Sequence, residues 1–144
     1  MLPQWPAGTV AILVTEGTPP HAIPVSAAVR AGPDRVLIGL ASGRESLARL
    51  RRAPAVALAL LAEDLAVTIE GVARVLDEEL TEGTVAVQIT ADSVQDHLRP
   101  TFDLQSGVAW RWTDEAAATR DRQVRRALLE LARRPSARMD PEPH

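Results

Sequence analysis

Residues 21–56 read HAIPVSAAVRAGPDRVLIGLASGRESLARLRRAPAV, and the order of signals in them decides the fold class. His21–Ala31 is a run of small and β-branched residues with Pro24 inside it. Gly32-Pro33-Asp34 is a turn signal, and Arg35–Ala41 is a second apolar run. Ser42-Gly43-Arg44 then opens an amphipathic stretch, Arg44–Arg52, with Leu47 and Leu50 on one face. Pro54 ends it, because the residue before a proline disfavours helical geometry. The sequence therefore predicts strand, turn, strand and a short inserted helix. Proline donates no ladder hydrogen bond, so Pro24 places its strand at a sheet edge or a bulge.

The same pattern continues on both sides. Thr9–Thr15 (TVAILVT) pairs with His21–Ala31 across the turn EGTPP as a hairpin. Ala55–Leu61, Leu65–Leu76, Thr84–Thr90 and Gly107–Thr113 read as four further strands, with Gly71 marking a bulge or bend inside the long one. Thr113 or Asp114 caps a helix running to about Arg134, with Val124, Ala127, Leu128 and Leu131 as its apolar stripe. Six or seven strands, one inserted helix and one terminal helix predict a mainly β protein, a closed or half-closed Greek-key barrel. Strands such as VAILV and VALALL are apolar on both faces. One face fills the barrel, and one terminal helix is too little to cover the other, so a homodimer is expected.

Composition narrows the chemistry. The 144 residues predict one domain over 1–134 and a disordered tail, rich in proline and charge, over 135–144. Net charge is −3 and cysteine is absent, so neither a nucleic-acid partner nor disulfide, thiolate or cysteine-zinc chemistry is expected. All sixteen cations are arginine; with no lysine there is no Schiff base and no P-loop lysine. The N-terminus lacks a signal-peptide pattern and the longest apolar run, Ala53–Ala62, is too short for a bilayer, so a soluble cytoplasmic location is expected.

Each candidate site residue has two readings. Ser42, Gly43 and Arg44 at a helix N-terminus, with Ser46 and Arg49 on the following turns, could hold a phosphate through backbone N–H groups, the helix dipole, hydroxyls and guanidinium. Equally, Ser42-x-x-Glu45 fits a capping box. Pro24 could free the backbone of Val25 and Ser26 for a ligand, or simply protect an edge. Trp110 and Trp112, two apart around Arg111, would share one strand face and stack on a planar ligand or pack at an interface. Trp5 reads as a core plug. His21 and His97 match no metal-ligand spacing. The arginines of the terminal helix are interspersed with Asp114, Glu115, Asp121 and Glu130 and read as a solvated face.

Taken together, PHAIPVS, VLIGLASGRESLARLRRAP, VALALL and LAVTIEGVARV, spanning roughly residues 8–78, resemble the pyridoxamine 5′-phosphate oxidase-like family of FMN-binding split β-barrels. The resemblance implies a split-barrel homodimer with FMN at the interface. It implies a phosphate held by Ser42, Gly43, Arg44 and Ser46, with Arg49 nearby, and an isoalloxazine ring along Pro24, Val25, Ser26 and Ala27. Trp110, Arg111 and Trp112 are the candidates for closing the partner's site. Many members carry a lysine where Ser46 stands here, and vitamin B6 oxidation is not expected. The implied function is a flavin-dependent oxidoreductase acting on a small molecule. The alternatives are a non-catalytic flavin protein, a binder of the deazaflavin F420, or a haem protein with His21 or His97 as axial ligand.

Overall fold

The computed structural model describes residues 1–134; the tail expected to be disordered lies outside the described residues. Seven strands and two helices follow in the order β1 (Ala11–Thr15), β2 (His21–Val25), β3 (Ala28–Arg30), β4 (Arg35–Ala41), α1 (Glu45–Arg52), β5 (Ala55–Ala62), β6 (Leu65–Thr81), β7 (Thr84–Asp96) and α2 (Glu115–Arg133). All ladders are antiparallel, in one sheet ordered β2-β1-β5-β6-β7-β4-β3.

That order forces the sheet to curl. β2 and β3 are its two edges, yet only Ser26 and Ala27 separate them in the chain. In a flat sheet seven strands would hold the edges about 29 Å apart. The link from Val25 to Ala28 reaches about 10 Å. The expected single strand His21–Ala31 is thus two strands. Its first half pairs with β1 (Ile12 opposite Pro24) and its second with β4 (Val29 opposite Leu37). Pro24 lies on an edge strand, as its missing N–H requires.

The barrel interior is filled by alternate residues of each strand, among them Leu13, Ile38, Leu58, Ile69 and Ile89, all fully buried; Leu47 and Leu50 of α1 join this core. Trp5 packs against it and donates its indole N–H to the Ala28 carbonyl at 2.9 Å. Gly71 marks a bulge: the β6–β7 register shifts between Glu70 and Gly71, and a side chain there would run into the Thr90 carbonyl.

Three expectations need correction. β6 and β7 extend to Thr81 and Asp96, because Glu82-Gly83, with φ of +78° at Gly83, forms a tight turn that keeps Thr81 paired with Thr84. Gly107–Thr113 is not a strand. It belongs to an irregular strap over residues 97–114 in which Gly107 lies against Leu61 and Ala62, past the end of the β1–β5 ladder at Leu60, and which pairs with no strand. The terminal helix covers more than expected. α2 packs Val124, Leu128, Leu131 and Ala132 on the outer face of the β3–β4 end of the sheet, against Ala27, Val29, Leu37 and Ala86.

α2 is held by two polar latches. Arg35, 8% exposed, donates to the carbonyls of Ala31 (3.2 Å), Ala132 (3.4 Å) and Arg134 (3.1 Å) and to Gln88 Oε1 (3.3 Å). A cation on the last carbonyls of a helix also meets the negative end of its dipole. At mid-helix, Arg125 donates to the Ser26 carbonyl and to Asp121 Oδ2 (both 3.1 Å), and Ser26 Oγ donates to Asp121 Oδ1 (3.2 Å). The outer face of β2, β1 and β5 has no such cover, and Ile12, Pro24 and Leu61 are exposed there. No helix of the described residues is long and apolar enough to cross a membrane.

Candidate functional site: a helix N-terminus beside the barrel seam

β4 delivers the chain to the opening of α1. The Ser42 N–H donates to the Gly83 carbonyl at 2.9 Å, and the Arg44 N–H turns back onto the Ala41 carbonyl at 3.0 Å. That turn starts the helix two residues later than a capping box at Ser42 requires. Arg44 is the N-cap, in extended conformation, and its side chain makes no capping bond. Glu45 does not return to Ser42; its carboxylate pairs with Arg49 at 3.0 Å. The capping reading of Ser42 and Glu45 is therefore overturned.

The consequence is a helix end without a side-chain cap, at which the Leu47 N–H turns back onto the Arg44 carbonyl at 3.1 Å. The first N–H groups of an α-helix have no intrahelical partner and carry the positive end of the dipole. Here no side chain caps them, the Arg44 guanidinium is exposed without an ion pair among the described residues, and Ser42 and Gly43 are exposed beside it. Ser46, in the first turn, is 1% exposed and its hydroxyl has no hydrogen-bond partner. Buried hydroxyls are almost always bonded, so this one has unmet hydrogen-bonding capacity. Glu45, the acid nearest the opening in sequence, is neutralised by Arg49. Hydroxyls, uncapped N–H groups and a guanidinium form a donor set suited to a phosphate dianion.

The other predicted residues are dispersed by the structure. Arg49 is not at the opening: its guanidinium fills the space beside Gly17 in the β1–β2 turn. Pro24 is exposed on the uncovered face, whereas Val25, 3% exposed, points into the barrel core. Ser26 and Ala27 form the seam between the two sheet edges, and both lie under α2; the Ser26 carbonyl, which the ligand reading of Pro24 would leave free, accepts from Arg125, and the Ser26 hydroxyl donates to Asp121. Trp110 and Trp112 contact each other edge-to-face, centroids 5.1 Å apart, and Trp110 donates to the Gly8 carbonyl at 3.3 Å. They ride on the strap rather than on a strand. His97 Nε2 lies 2.8 Å from Thr68 Oγ1 just past the far end of β7, and no metal-binding group of acids and histidines exists among the described residues.

Gly39, Asp121 and Arg125 were missed from sequence. A side chain at Gly39 would meet Val124 Cγ1 at 2.9 Å, Thr84 Cγ2 at 3.3 Å and Leu128 Cδ1 at 3.9 Å. A glycine inside the bulky run RVLIGLA is a signal of close approach that was available. Asp121 and Arg125 carried no such signal, since an i, i+4 pair on an arginine-rich helix reads as solvated.

No protein-family model matches the sequence, and no curated protein matches it. The fold does have counterparts among solved structures. A candidate pyridoxamine 5′-phosphate oxidase from Listeria innocua superposes with a TM-score of 0.53 at 15% identity, over 62% of this chain and 88% of that one. An F420 reductase gives 0.52 at 12% identity, over 61% and 90%. A FAD-binding protein from Mesorhizobium loti gives 0.50 at 12% identity, over 61% and 82%. With the curled seven-strand sheet, the inserted α1 and the seam at Ser26–Ala27, these place the chain in the split β-barrel fold of the pyridoxamine 5′-phosphate oxidase-like proteins.

Proposed function

We propose that the protein binds a flavin mononucleotide, with the phosphate at the N-terminus of α1, and serves as a flavin-dependent oxidoreductase on a small molecule. The observation that carries the reading is the orphaned, buried hydroxyl of Ser46 in the first turn of a helix that no side chain caps. Ser42, Arg44 and Ser46 would hold the phosphate, and Gly43 lets the backbone come close. A flavin, when bound, supplies hydride or single-electron transfer itself. The chain's part is to anchor the tail with Arg44 and the free N–H groups and to offer the ring an apolar platform. Solved counterparts of this fold include a FAD-binding protein and an F420 reductase, which agrees with a flavin-type ligand.

A homodimer belongs to the same reading. The uncovered outer face aligns Pro24, Ile12 and Ala59 across three neighbouring strands, with Leu61 54% exposed on β5. A second copy covering it would remove an apolar patch from water.

The test is a titration of the purified protein with FMN and with riboflavin, which lacks the phosphate. FMN should bind at least tenfold more tightly. Equal affinities would move the phosphate away from α1.

A further inference from the structure

Ser42, Gly43 and Arg44 are exposed at the opening of α1, whereas the seam at Ser26–Ala27 is covered by the protein's own helix. Gly39 lies in β4 two residues before Ala41, and β4 leads directly to Ser42. The space above Gly39 holds Val124. Beyond it, Ala27 and Ala86 sit beneath Leu128, and Ser26 is bonded by Asp121 and Arg125. A tail anchored at Ser42–Ser46 and a ring reaching Ser26–Ala27 would cross the strip that Val124 and Leu128 now fill.

We infer that α2 is a displaceable plug that occupies the ring half of the site, so that helix docking and binding of a phosphorylated planar heterocycle exclude one another. This rests on the flavin reading above. Three features fit a plug better than a permanent wall. First, the small residues Ala27, Gly39 and Ala86 form part of the apolar surface beneath α2, beside Val29 and Leu37, and leave a strip of the kind a planar ring covers. Second, of the nineteen residues of α2 only Leu128 is fully buried; Val124, Leu131 and Ala132 are partly buried against the sheet, and the Ser26–Asp121–Arg125 latch and the Arg35 grip on the last carbonyls complete the contact. Third, α2 hangs on the irregular strap 97–114, which is long enough to let the helix swing off without breaking any strand pairing.

The linkage is reciprocal: whatever loosens α2 must tighten the ligand, and the ligand must loosen α2. The experiment compares the unmodified protein with D121A/R125A, which removes both partners of the mid-helix latch and leaves the apolar contact. FMN affinity is read by flavin fluorescence, and amide hydrogen exchange along α2 is read with and without saturating FMN. A V124A variant repeats the comparison from the apolar side. The expected result is at least tenfold tighter FMN binding in both variants and at least tenfold faster exchange of α2 amides in the unmodified protein with FMN. If all three proteins bind FMN equally and α2 exchange is unchanged or slowed, the plug is overturned and the flavin reading stands. If none binds FMN although exchange shows α2 released in the variants, the flavin reading falls, and the plug with it.

Discussion

Val124 of α2 rests on Gly39 of β4, filling the space a side chain there would need: a Cβ at position 39 would lie 2.9 Å from Val124 Cγ1. That contact joins the strand leading to the opening of α1 to the helix that covers the seam.

Gly39→Ala tests the fit directly. Overpacking a filled site costs about 1–3 kcal/mol, so urea unfolding should show a loss in that range. Because Val124 stands on a helix rather than at the end of a long side chain, the strain should appear as weakened α2 docking. Unchanged stability would mean that α2 does not seat on β4.

Arg35→Leu removes the donor that serves four acceptors. It leaves the Ala132 and Arg134 carbonyls and Gln88 Oε1 without that partner. Each buried unsatisfied group costs about 1–3 kcal/mol, so a loss of roughly 2–4 kcal/mol in chemical denaturation is expected once solvent reaches part of the helix end. Arg35→Lys should recover only part of it, since an ammonium cannot reproduce the planar fork. Full recovery by lysine would show that charge alone matters.

The same residues show how far the sequence was legible. The edge strand at Pro24, the bulge at Gly71, the turn at Gly32-Pro33-Asp34 and the helix Asp114–Arg134 were readable because each rests on a local rule: a missing N–H, a missing Cβ, a fixed turn chemistry, a 3.6-residue period. The strand at Gly107–Thr113 was misread because alternation describes a segment's own pattern and says nothing about whether a free edge is available. The break at Ser26–Ala27 was invisible for a related reason. Nothing in HAIPVSAAV differs from one continuous strand; the break follows from the sheet's closure, a property of the whole chain. Likewise, the capping box at Ser42 failed to a backbone turn two residues long, which leaves the opening of α1 free. Of the candidate site residues, Ser42, Gly43 and Arg44 lie exposed at the opening of α1 with Ser46 buried in its first turn, while Arg49 faces the β1–β2 turn and Ser26 is bonded by α2.

Ile12→Glu places a charge in the middle of the uncovered outer face, where Ile12 lies between Pro24 and Ala59. Size-exclusion chromatography with light scattering should show a dimer for the unmodified protein and a monomer for the variant, with the fold retained, since Ile12 points away from the barrel core. A monomer in both cases would remove the dimer from the account.

Arg44→Ala should weaken FMN binding by about 1.5–3 kcal/mol, the scale of a hydrogen bond to a charged group, without lowering stability, because the side chain is exposed and makes no ion pair among the described residues. Riboflavin binding should be unaffected. Equal losses for both ligands would place Arg44 at the ring instead of the phosphate.

The most direct test of the central claim is the dissociation constant of FMN measured against that of riboflavin, on the unmodified protein and on D121A/R125A. The account predicts phosphate-dependent binding in both, at least tenfold tighter for FMN than for riboflavin, and stronger once the latch on Ser26 is removed. If FMN binds to neither protein, or binds no better than riboflavin, the opening of α1 is not a mononucleotide site.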